Sequence, residues 1–287
     1  MIKPSASEIE RLVRMALEED APWGDITSQT LIPATARITA DLVAREDGVL
    51  CGEDVFASAM SLMHASVRTR FAIHDGGRFA KGYILAKVEG PARAILQAER
   101  VALNFVQRLC GIATMTANYV AETAGTKARI VDTRKTTPGL RIFERYAVRC
   151  GGGVNHRFSL SDAVLAKDNH LAVMGTTLAE AIRTARANLP HTTHFEVEVD
   201  RLDQIDAVLA AGVDTIMLDN FTTDQLRIGV AQIAGRALVE ASGGITHARI
   251  REIAATGVDI ISVGALTHSV RALDLGLDFV LPDEAFK

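Results

Sequence analysis

Apolar and polar residues follow two different rhythms along the chain, and the change between them falls near residue 110. In the first part, SEIERLVRMALEED has the apolar spacing of an amphipathic helix, and ARITADLVAREDGVLCG alternates like two strands around a turn at Asp47-Gly48. A long helical stretch follows over residues 95–124, with Gly111 as its expected break. Helices mixed with strands joined by tight turns predict an α+β domain over residues 1–109.

From residue 128 onward, short apolar strands alternate with amphipathic helices, as in TIMLDN followed by TTDQLRIGVAQIAG. The unit repeats at roughly 20 to 25 residues, which is typical of parallel strands joined by right-handed crossovers. Two folds fit this repeat: an open doubly wound sheet and a closed β/α barrel.

The alternation within single strands favours the barrel. In HFEVEV the acids Glu196 and Glu198 lie on the face opposite the apolar residues, and TIMLDN and ALVEASGG each place one acid in the same way. An open sheet with helices on both faces has little place for such acids, whereas the upper interior of a barrel is where active sites are built. We therefore predict a parallel β/α barrel over residues 110–273.

Composition and charge restrict the class of function. The chain of 287 residues is 48% hydrophobic and carries a net charge of −4, which argues against a general nucleic-acid binder. The N-terminus lacks the apolar core of a signal peptide, and no apolar run approaches the roughly 20 residues that span a bilayer. The three cysteines form no CxxC pair. We expect a cytoplasmic protein that binds neither nucleic acid nor membrane.

Positive charge is nevertheless concentrated in one stretch, since residues 133–157 hold six Lys or Arg and one acid. Arg134 and Lys135 directly follow a predicted strand, His156 and Arg157 follow the glycine-rich GGGVN, and LAKDNH adds Lys167. Cationic groups that converge from separate loops suit a ligand with more than one anionic group.

Three more arginines of this stretch, Arg141, Arg145 and Arg149, are spaced i, i+4, i+8. This spacing predicts one exposed face of a helix rather than part of the site.

Acids and glycines complete the candidate chemistry. Glu198 and Asp219 occupy matching places on successive strands, where they would hold ribose hydroxyls or Mg²⁺, or else form ion pairs with the cations of the barrel. ASGGI and SVGAL are glycine-containing strand ends of the kind that cradle phosphate in late units of β/α barrels. A phosphoribosyl donor and an anionic acceptor would use all of these parts.

Eight segments together resemble the quinolinate phosphoribosyltransferase family, whose members are also known as carboxylating nicotinate-nucleotide pyrophosphorylases: ERVALNFVQRLCGIAT, DTRKTTPGLR, YAVRCGGGVNHR, LAKDNH, EVEV, IMLDN, EASGGI and SVGALTHS. The resemblance covers about residues 8–280. It implies an N-terminal sandwich domain, a barrel of about seven strands, and a C-terminal segment, residues 274–287, that packs back on the N-terminal domain. It also implies a homodimer and leaves a higher oligomer open.

The reaction implied by the resemblance is phosphoribosyl transfer from phosphoribosyl pyrophosphate to quinolinate with decarboxylation. The products are nicotinate mononucleotide, CO₂ and pyrophosphate, the cofactor is Mg²⁺, and the pathway is NAD biosynthesis. The dicarboxylate would be bound by Arg134, His156 and Arg157. It would also be bound by Arg100 of the partner subunit.

The resemblance also assigns the rest of the site. Beside the reacting groups would lie Lys135, Lys167 and Thr133. The ribose and Mg²⁺ would be served by Glu198 and Asp219, and these carboxylates would hold the metal directly or through water. The 5-phosphate would be held by Ser242, Gly243, Gly244, Val263, Gly264 and Ala265, with His268 close by.

Two departures from the family pattern carry no chemistry: Cys110 stands where Ser is more frequent, and Ala166 where a larger aliphatic residue is usual. Two alternative functions are a paralogue associated with molybdenum uptake and a non-catalytic anion or nucleotide sensor. The retained arginines argue against the first, and the retained lysines and acids argue against the second.

Arg100 adjoins an apolar stripe, Val101, Phe105 and Leu109, which needs a packing surface. From the spacing alone, this surface is either in the same chain or on a partner, and the resemblance favours a shared site.

Overall fold

A computed structural model describes residues 3–280, and these fall into two compact units. The first is built from residues 3–117, 138–152 and 270–280, and the second from residues 118–137 and 153–269. The predicted domain limits, 1–109 and 110–273, stay a prediction. Residues 281–287 of the predicted C-terminal segment lie outside the described residues.

The helices, in chain order, are α1 (Ala6–Asp20), α2 (Ile26–Leu31), α3 (Glu53–Met63), α4 (Ala92–Ala121), α5 (Arg141–Cys150), α6 (Asp168–Val173), α7 (Leu178–Asn188), α8 (Ile205–Ala210), α9 (Thr223–Ile233), α10 (Ile250–Ala254) and α11 (Ala265–His268). The strands are β1 (Arg37–Ala44), β2 (Gly48–Val49), β3 (Arg68–Phe71), β4 (Arg78–Phe79), β5 (Ile84–Pro91), β6 (Arg129–Val131), β7 (Val164–Ala166), β8 (Phe195–Val199), β9 (Thr215–Asp219), β10 (Leu238–Ser242), β11 (Ile260–Ser262) and β12 (Leu275–Phe279).

An antiparallel sheet in the order β12-β1-β5-β3 forms the first unit together with its helices. Leu42 of β1 pairs with Leu277 of β12, so the last described strand lies beside the first. The turn at Asp47-Gly48 does not join two paired strands as predicted, because β2 pairs with β4 instead of β1.

The long helix α4 runs without interruption, so the expected break at Gly111 is wrong. A Cβ atom at Gly111 would lie 2.2 Å from the backbone oxygen of Arg271. Gly111 therefore serves the close approach of a second segment of the same unit, and the helix pays only the modest propensity cost of a glycine.

The predicted exposed arginine face of α5 is also wrong. Arg145 is 8% exposed, and Arg141 and Arg149 are half-buried. The helix carries a buried acid as well, Glu144, which accepts hydrogen bonds from Nε and Nη2 of Arg108 at 2.9 and 2.6 Å. Such pairing inside a unit is not visible in the i, i+4 spacing.

The stripe beside Arg100 packs within its own chain. Val101 and Leu109 are buried, and the ring of Phe105 meets that of Phe143 edge-on with centroids 5.8 Å apart. Of the two alternatives for this stripe, the structure shows packing in the same chain.

The second unit is a β/α barrel whose parallel strands follow the order β6-β11-β10-β9-β8-β7. A seventh segment contributes one parallel bridge, between Val154 and Val131 of β6. The predicted alternation is confirmed, because Val239 and Ala241 lie under the helices while Glu240 between them faces the interior. Strand β7 was not predicted.

Within residues 3–280, no helix combines the length and the apolar character that a membrane-spanning segment needs.

Candidate active site

The carboxyl ends of the barrel strands enclose a cavity of about 520 Å³. Eleven of the sixteen predicted site residues line it: Thr133, Arg134, Lys135, His156, Arg157, Lys167, Glu198, Asp219, Ser242, Gly243 and Gly244. They come from six separate segments of the chain, so the barrel brings together what the sequence spreads over more than a hundred residues. The cavity is also lined by Leu165, Met217, Asn220, Glu240 and Ser262.

Five predicted residues do not line this cavity: Arg100, Val263, Gly264, Ala265 and His268. The last four nevertheless belong to the segment from the end of β11 through α11, and this segment lies against Lys135. A Cβ atom at Gly264 would lie 3.0 Å from Cδ of Lys135, and Thr267 Oγ1 donates to the backbone oxygen of Lys135 at 2.7 Å. Arg100 is exposed on α4, in the other unit.

Asp132 holds the two cationic loops together. It is fully buried at the end of β6, directly before Thr133. One carboxylate oxygen accepts the backbone N–H of His156 at 2.8 Å, and the other accepts Nδ2 of Asn155 at 2.6 Å. The loop before Arg157 is thereby fixed to the loop of Arg134, although neither Asp132 nor Asn155 was predicted.

Arg134 and Arg157 form the cationic side of the cavity. Burial lowers the pKa of Arg157, and the neighbouring charge of Arg134 lowers it further. Nη1 of Arg157 donates to the backbone oxygen of Ala163 at 2.9 Å, which fixes the direction of its side chain. Two adjacent guanidinium groups repel each other, and this repulsion is relieved when an anion binds between them.

The acids Glu198 and Asp219 have different partners. Lys167 Nζ donates to Glu198 Oε2 at 2.5 Å, and Asn220 Nδ2 donates to Asp219 Oδ2 at 2.6 Å. The ion-pair alternative is thus realised for Glu198 in the ligand-free chain. Both carboxylates also offer the hard oxygen atoms that Mg²⁺ takes in ones or twos beside phosphate oxygens.

Position 243 requires glycine because it lies against Asn220, next to Asp219. Its φ is +83°, and a Cβ atom there would lie 2.2 Å from Oδ1 of Asn220. The turn after β10 therefore packs closely against Asn220 in the turn after β9.

His156 lies close to two buried acids, Glu196 and Glu240. Its Nε2 lies 3.0 Å from Glu196 Oε2 and 3.6 Å from Glu240 Oε1, while its Nδ1 accepts the backbone N–H of Arg157 at 2.8 Å. The ring proton therefore sits on Nε2 and faces Glu196. Both ring nitrogens are engaged by protein atoms, and direct contact of His156 with a substrate carboxylate stays a prediction.

Burial and the neighbouring acids change the pKa values in this cluster. Burial raises the pKa of Glu240 to about 8, the charge of Glu196 adds to the increase, and His156 opposes it. For His156, burial lowers the pKa, but the hydrogen bond to Glu196 and the charges of Glu240, Glu196 and Asp132 outweigh this and raise it. Burial and the charge of Glu196 therefore favour the neutral form of Glu240.

Comparisons with known proteins agree with this geometry. The family model of the quinolinate phosphoribosyl transferase C-terminal domain matches residues 112–278, and the family model of the N-terminal domain matches residues 25–110. A nicotinate-nucleotide pyrophosphorylase (carboxylating) of Mycobacterium leprae is 46% identical over 93% of this chain and 95% of its own.

A quinolinate phosphoribosyltransferase (decarboxylating) of Nicotiana tabacum is 38% identical over 96% of this chain and 85% of its own. The solved structure of the nicotinate-nucleotide pyrophosphorylase from Francisella tularensis superposes with a TM-score of 0.91 at 39% identity. It covers 96% of this chain and 98% of its own.

Proposed function

The chain belongs to the quinolinate phosphoribosyltransferase family, and from this premise we propose how its residues carry out the reaction. The enzyme transfers phosphoribosyl from phosphoribosyl pyrophosphate to quinolinate with decarboxylation. The products are nicotinate mononucleotide, CO₂ and pyrophosphate, in NAD biosynthesis. The observation that supports our assignment of roles is the convergence of eleven predicted residues on one cavity.

Arg134 and Arg157 bind the two carboxylates of quinolinate in our proposal, with His156 beside them. The adjacent guanidinium groups support this role, because each carboxylate that enters replaces repulsion by charge-assisted hydrogen bonds. This binding holds the ring nitrogen towards the anomeric carbon of the ribose, which converts a bimolecular encounter into a reaction between positioned groups.

The donor occupies the other side of the cavity. We assign the 5-phosphate to the backbone of residues 242–244 and 263–265, with His268 close by, and the leaving pyrophosphate to Lys135 and Lys167 with Thr133. As the bond to pyrophosphate breaks, positive charge grows on the ribose, and the carboxylates of Glu198 and Asp219 stabilise it. The ion pair between Lys167 and Glu198 is exchanged for contacts with the substrate.

Mg²⁺ fits the donor set of this site, since Glu198 and Asp219 supply carboxylate oxygens next to the proposed place of the pyrophosphate. We propose that these two residues hold it, directly or through water. Bound Mg²⁺ would neutralise charge on the leaving pyrophosphate.

We further propose a homodimer in which Arg100 reaches the quinolinate site of the partner subunit. Arg100 is exposed on α4, as this role requires. Near the N-terminus Trp23, Ile26 and Leu31 are 91%, 76% and 71% exposed. Large apolar side chains in water along one short segment support a surface that a second subunit covers. Higher oligomers would build on this dimer.

We also propose that the enzyme works in the cytoplasm. Cys51, Cys110 and Cys150 form no disulfide bond, as expected in a reducing compartment.

The assignment is tested by turnover of quinolinate with phosphoribosyl pyrophosphate in wild type, Lys135→Ala and Lys81→Ala. Lys81 is an exposed lysine outside the cavity and serves as the matched control. We expect Lys135→Ala to fold normally and to lose at least about 100-fold in kcat, because it removes a charge at the leaving group. Normal turnover by Lys135→Ala would contradict the proposed site. A sensor or a molybdenum-related paralogue would show no turnover even in the wild type.

The shared site is tested by mixing Arg100→Ala with Lys135→Ala under conditions of subunit exchange. Half of the dimers formed at random are mixed, and each has one intact site, so about a quarter of wild-type activity should return. If exchange is verified and activity stays absent, Arg100 acts within its own chain.

A further inference from the structure

The interior of the barrel holds a second cavity, of about 410 Å³, at the opposite ends of the strands. It is lined by the first residues of four strands: Arg129, Thr215, Leu238 and Ile260. Only His156, Arg157 and Glu240 line both this cavity and the substrate cavity among the described residues. Glu240, at the middle of β10, therefore borders the substrate cavity on one side and the second cavity on the other.

The proposed reaction needs a proton at one defined place. When the carboxylate adjacent to the ring nitrogen leaves as CO₂, the carbon–carbon bond breaks and its electron pair stays on the ring carbon. The positively charged ring nitrogen stabilises this pair, but the product carries hydrogen at that carbon. One proton must be delivered in each turnover, and none of the roles assigned so far includes this delivery.

We propose that Glu240 is the acid that protonates this ring carbon, and that water in the second cavity, together with His156, returns the proton. In this step the O–H bond of Glu240 breaks and a C–H bond forms while the carbon–carbon bond to the departing CO₂ breaks, so the rate of CO₂ formation depends on the acid. Glu240 is left as a carboxylate, and a proton taken up through the second cavity restores the acid. The inference rests on the proposed function, because it uses the same substrate in the same cavity.

The surroundings of Glu240 distinguish it from the other acids of the cavity. Glu198 forms an ion pair with Lys167, and Asp219 accepts a hydrogen bond from Asn220. Glu240 is 1% exposed, and its Oε1 has no hydrogen-bond partner within the described chain. A buried carboxyl oxygen without a donor is costly when charged, so the neutral acid is favoured.

The groups that face Glu240 come from three elements. Glu196 lies on β8, Ser262 on β11 and His156 on the loop after α5, and all three interact with its carboxyl group. In addition, Met217 of β9 is in register with Glu240 and is apolar. The two acids with His156 between them keep a titratable proton in the centre of the barrel.

The test is a single turnover of Glu240→Gln in which pyrophosphate and CO₂ are measured separately. The amide keeps the size of the side chain but carries no acidic proton. We expect pyrophosphate to form at a rate within about threefold of wild type, and CO₂ to form about 100-fold more slowly, as for loss of a general acid. The dicarboxylate mononucleotide should accumulate. Equal slowing of both products, or normal release of CO₂, would overturn the proposal.

The pH profile gives a readout that a structural role would not change. In the wild type the rate of CO₂ formation should fall above about pH 8, as Glu240 ionises, and this fall should be absent in Glu240→Gln. Removal of the neighbouring charge by Glu196→Gln should move the fall to lower pH. An unchanged profile in both variants would refute the assignment.

Glu240→Asp keeps an acid on a shorter side chain and serves as the second variant. It should recover part of the CO₂ rate and all of the pH dependence, whereas no recovery over Glu240→Gln would count against the acid. If neither the wild type nor any variant releases pyrophosphate from these substrates, it is the proposed function that has failed and not the role of Glu240.

Discussion

Asp132 offers a quantitative test of how the cationic loops are positioned. Its carboxylate accepts one hydrogen bond from the backbone of His156 and one from the side chain of Asn155. Hydrogen bonds to a charged group contribute about 1.5–3 kcal/mol each, so Asp132→Ala should lower the free energy of unfolding by about 3–6 kcal/mol. In Asp132→Asn the amide of Asn155 can rotate and keep a neutral bond, so the loss should be smaller, about 1–3 kcal/mol.

The functional effect should be specific to the acceptor. A displacement of about 1 Å in the loop of His156 and Arg157 is enough to lower kcat/KM for quinolinate by about 100-fold. KM for phosphoribosyl pyrophosphate should change little by comparison. Urea denaturation and steady-state kinetics of Asp132→Ala, Asp132→Asn and Asn155→Ala measure both effects. Equal stability of all three variants, or an equal change in both KM values, would refute this reasoning.

Three further predictions concern the same cavity. Gly243→Ala should raise KM for phosphoribosyl pyrophosphate at least about tenfold, because the left-handed backbone costs about 1–2 kcal/mol and the new Cβ meets Asn220; an unchanged KM would exclude a close backbone contact with the donor. Nicotinic acid, with one carboxylate, should have a kcat/KM at least about tenfold below that of quinolinate, since a charge-assisted bond worth about 1.5–3 kcal/mol is lost; similar values would argue against a dicarboxylate pocket. The pKa of Glu240 is about 8 in the folded chain against 4.5 for a free side chain, so the folded state binds a proton that the unfolded chain has released. The free energy of unfolding should therefore fall as pH rises from 4.5 to 8, relative to Glu240→Gln; parallel pH curves for the two proteins would contradict the buried acid.

The sequence predicted those features that depend on a local period or on a short motif. Five of the six barrel strands, β6 and β8–β11, lie in short apolar segments of the predicted repeat, and β8, β9 and β10 also show their acidic residues. The segments DTRK and NHR directly follow predicted strand ends or glycines, so their residues were expected to meet. The inward direction of Glu196 followed from the same alternation.

The features that the sequence did not predict depend on contacts between distant segments. Gly111 looks like a helix break until the backbone of Arg271 is seen beside it. Arg145 has the spacing of a surface residue but is buried. The burial of Glu240 beside Glu196 and His156 depends on how neighbouring strands are staggered. The sequence of a single strand does not contain this information. Strand β7 was not predicted, and it is held in the sheet by its pairing with β8.

The place of β12 beside β1 has a consequence for synthesis of the protein. Strand β1 is made early and finds β5 within the next fifty residues, but its other edge is completed only by residues 275–279. While the ribosome makes the whole barrel, this edge offers unpaired backbone N–H and C=O groups, which invite pairing with other chains. A nascent chain released before residue 275 should therefore aggregate even when its barrel has folded, because one edge of β1 stays unpaired.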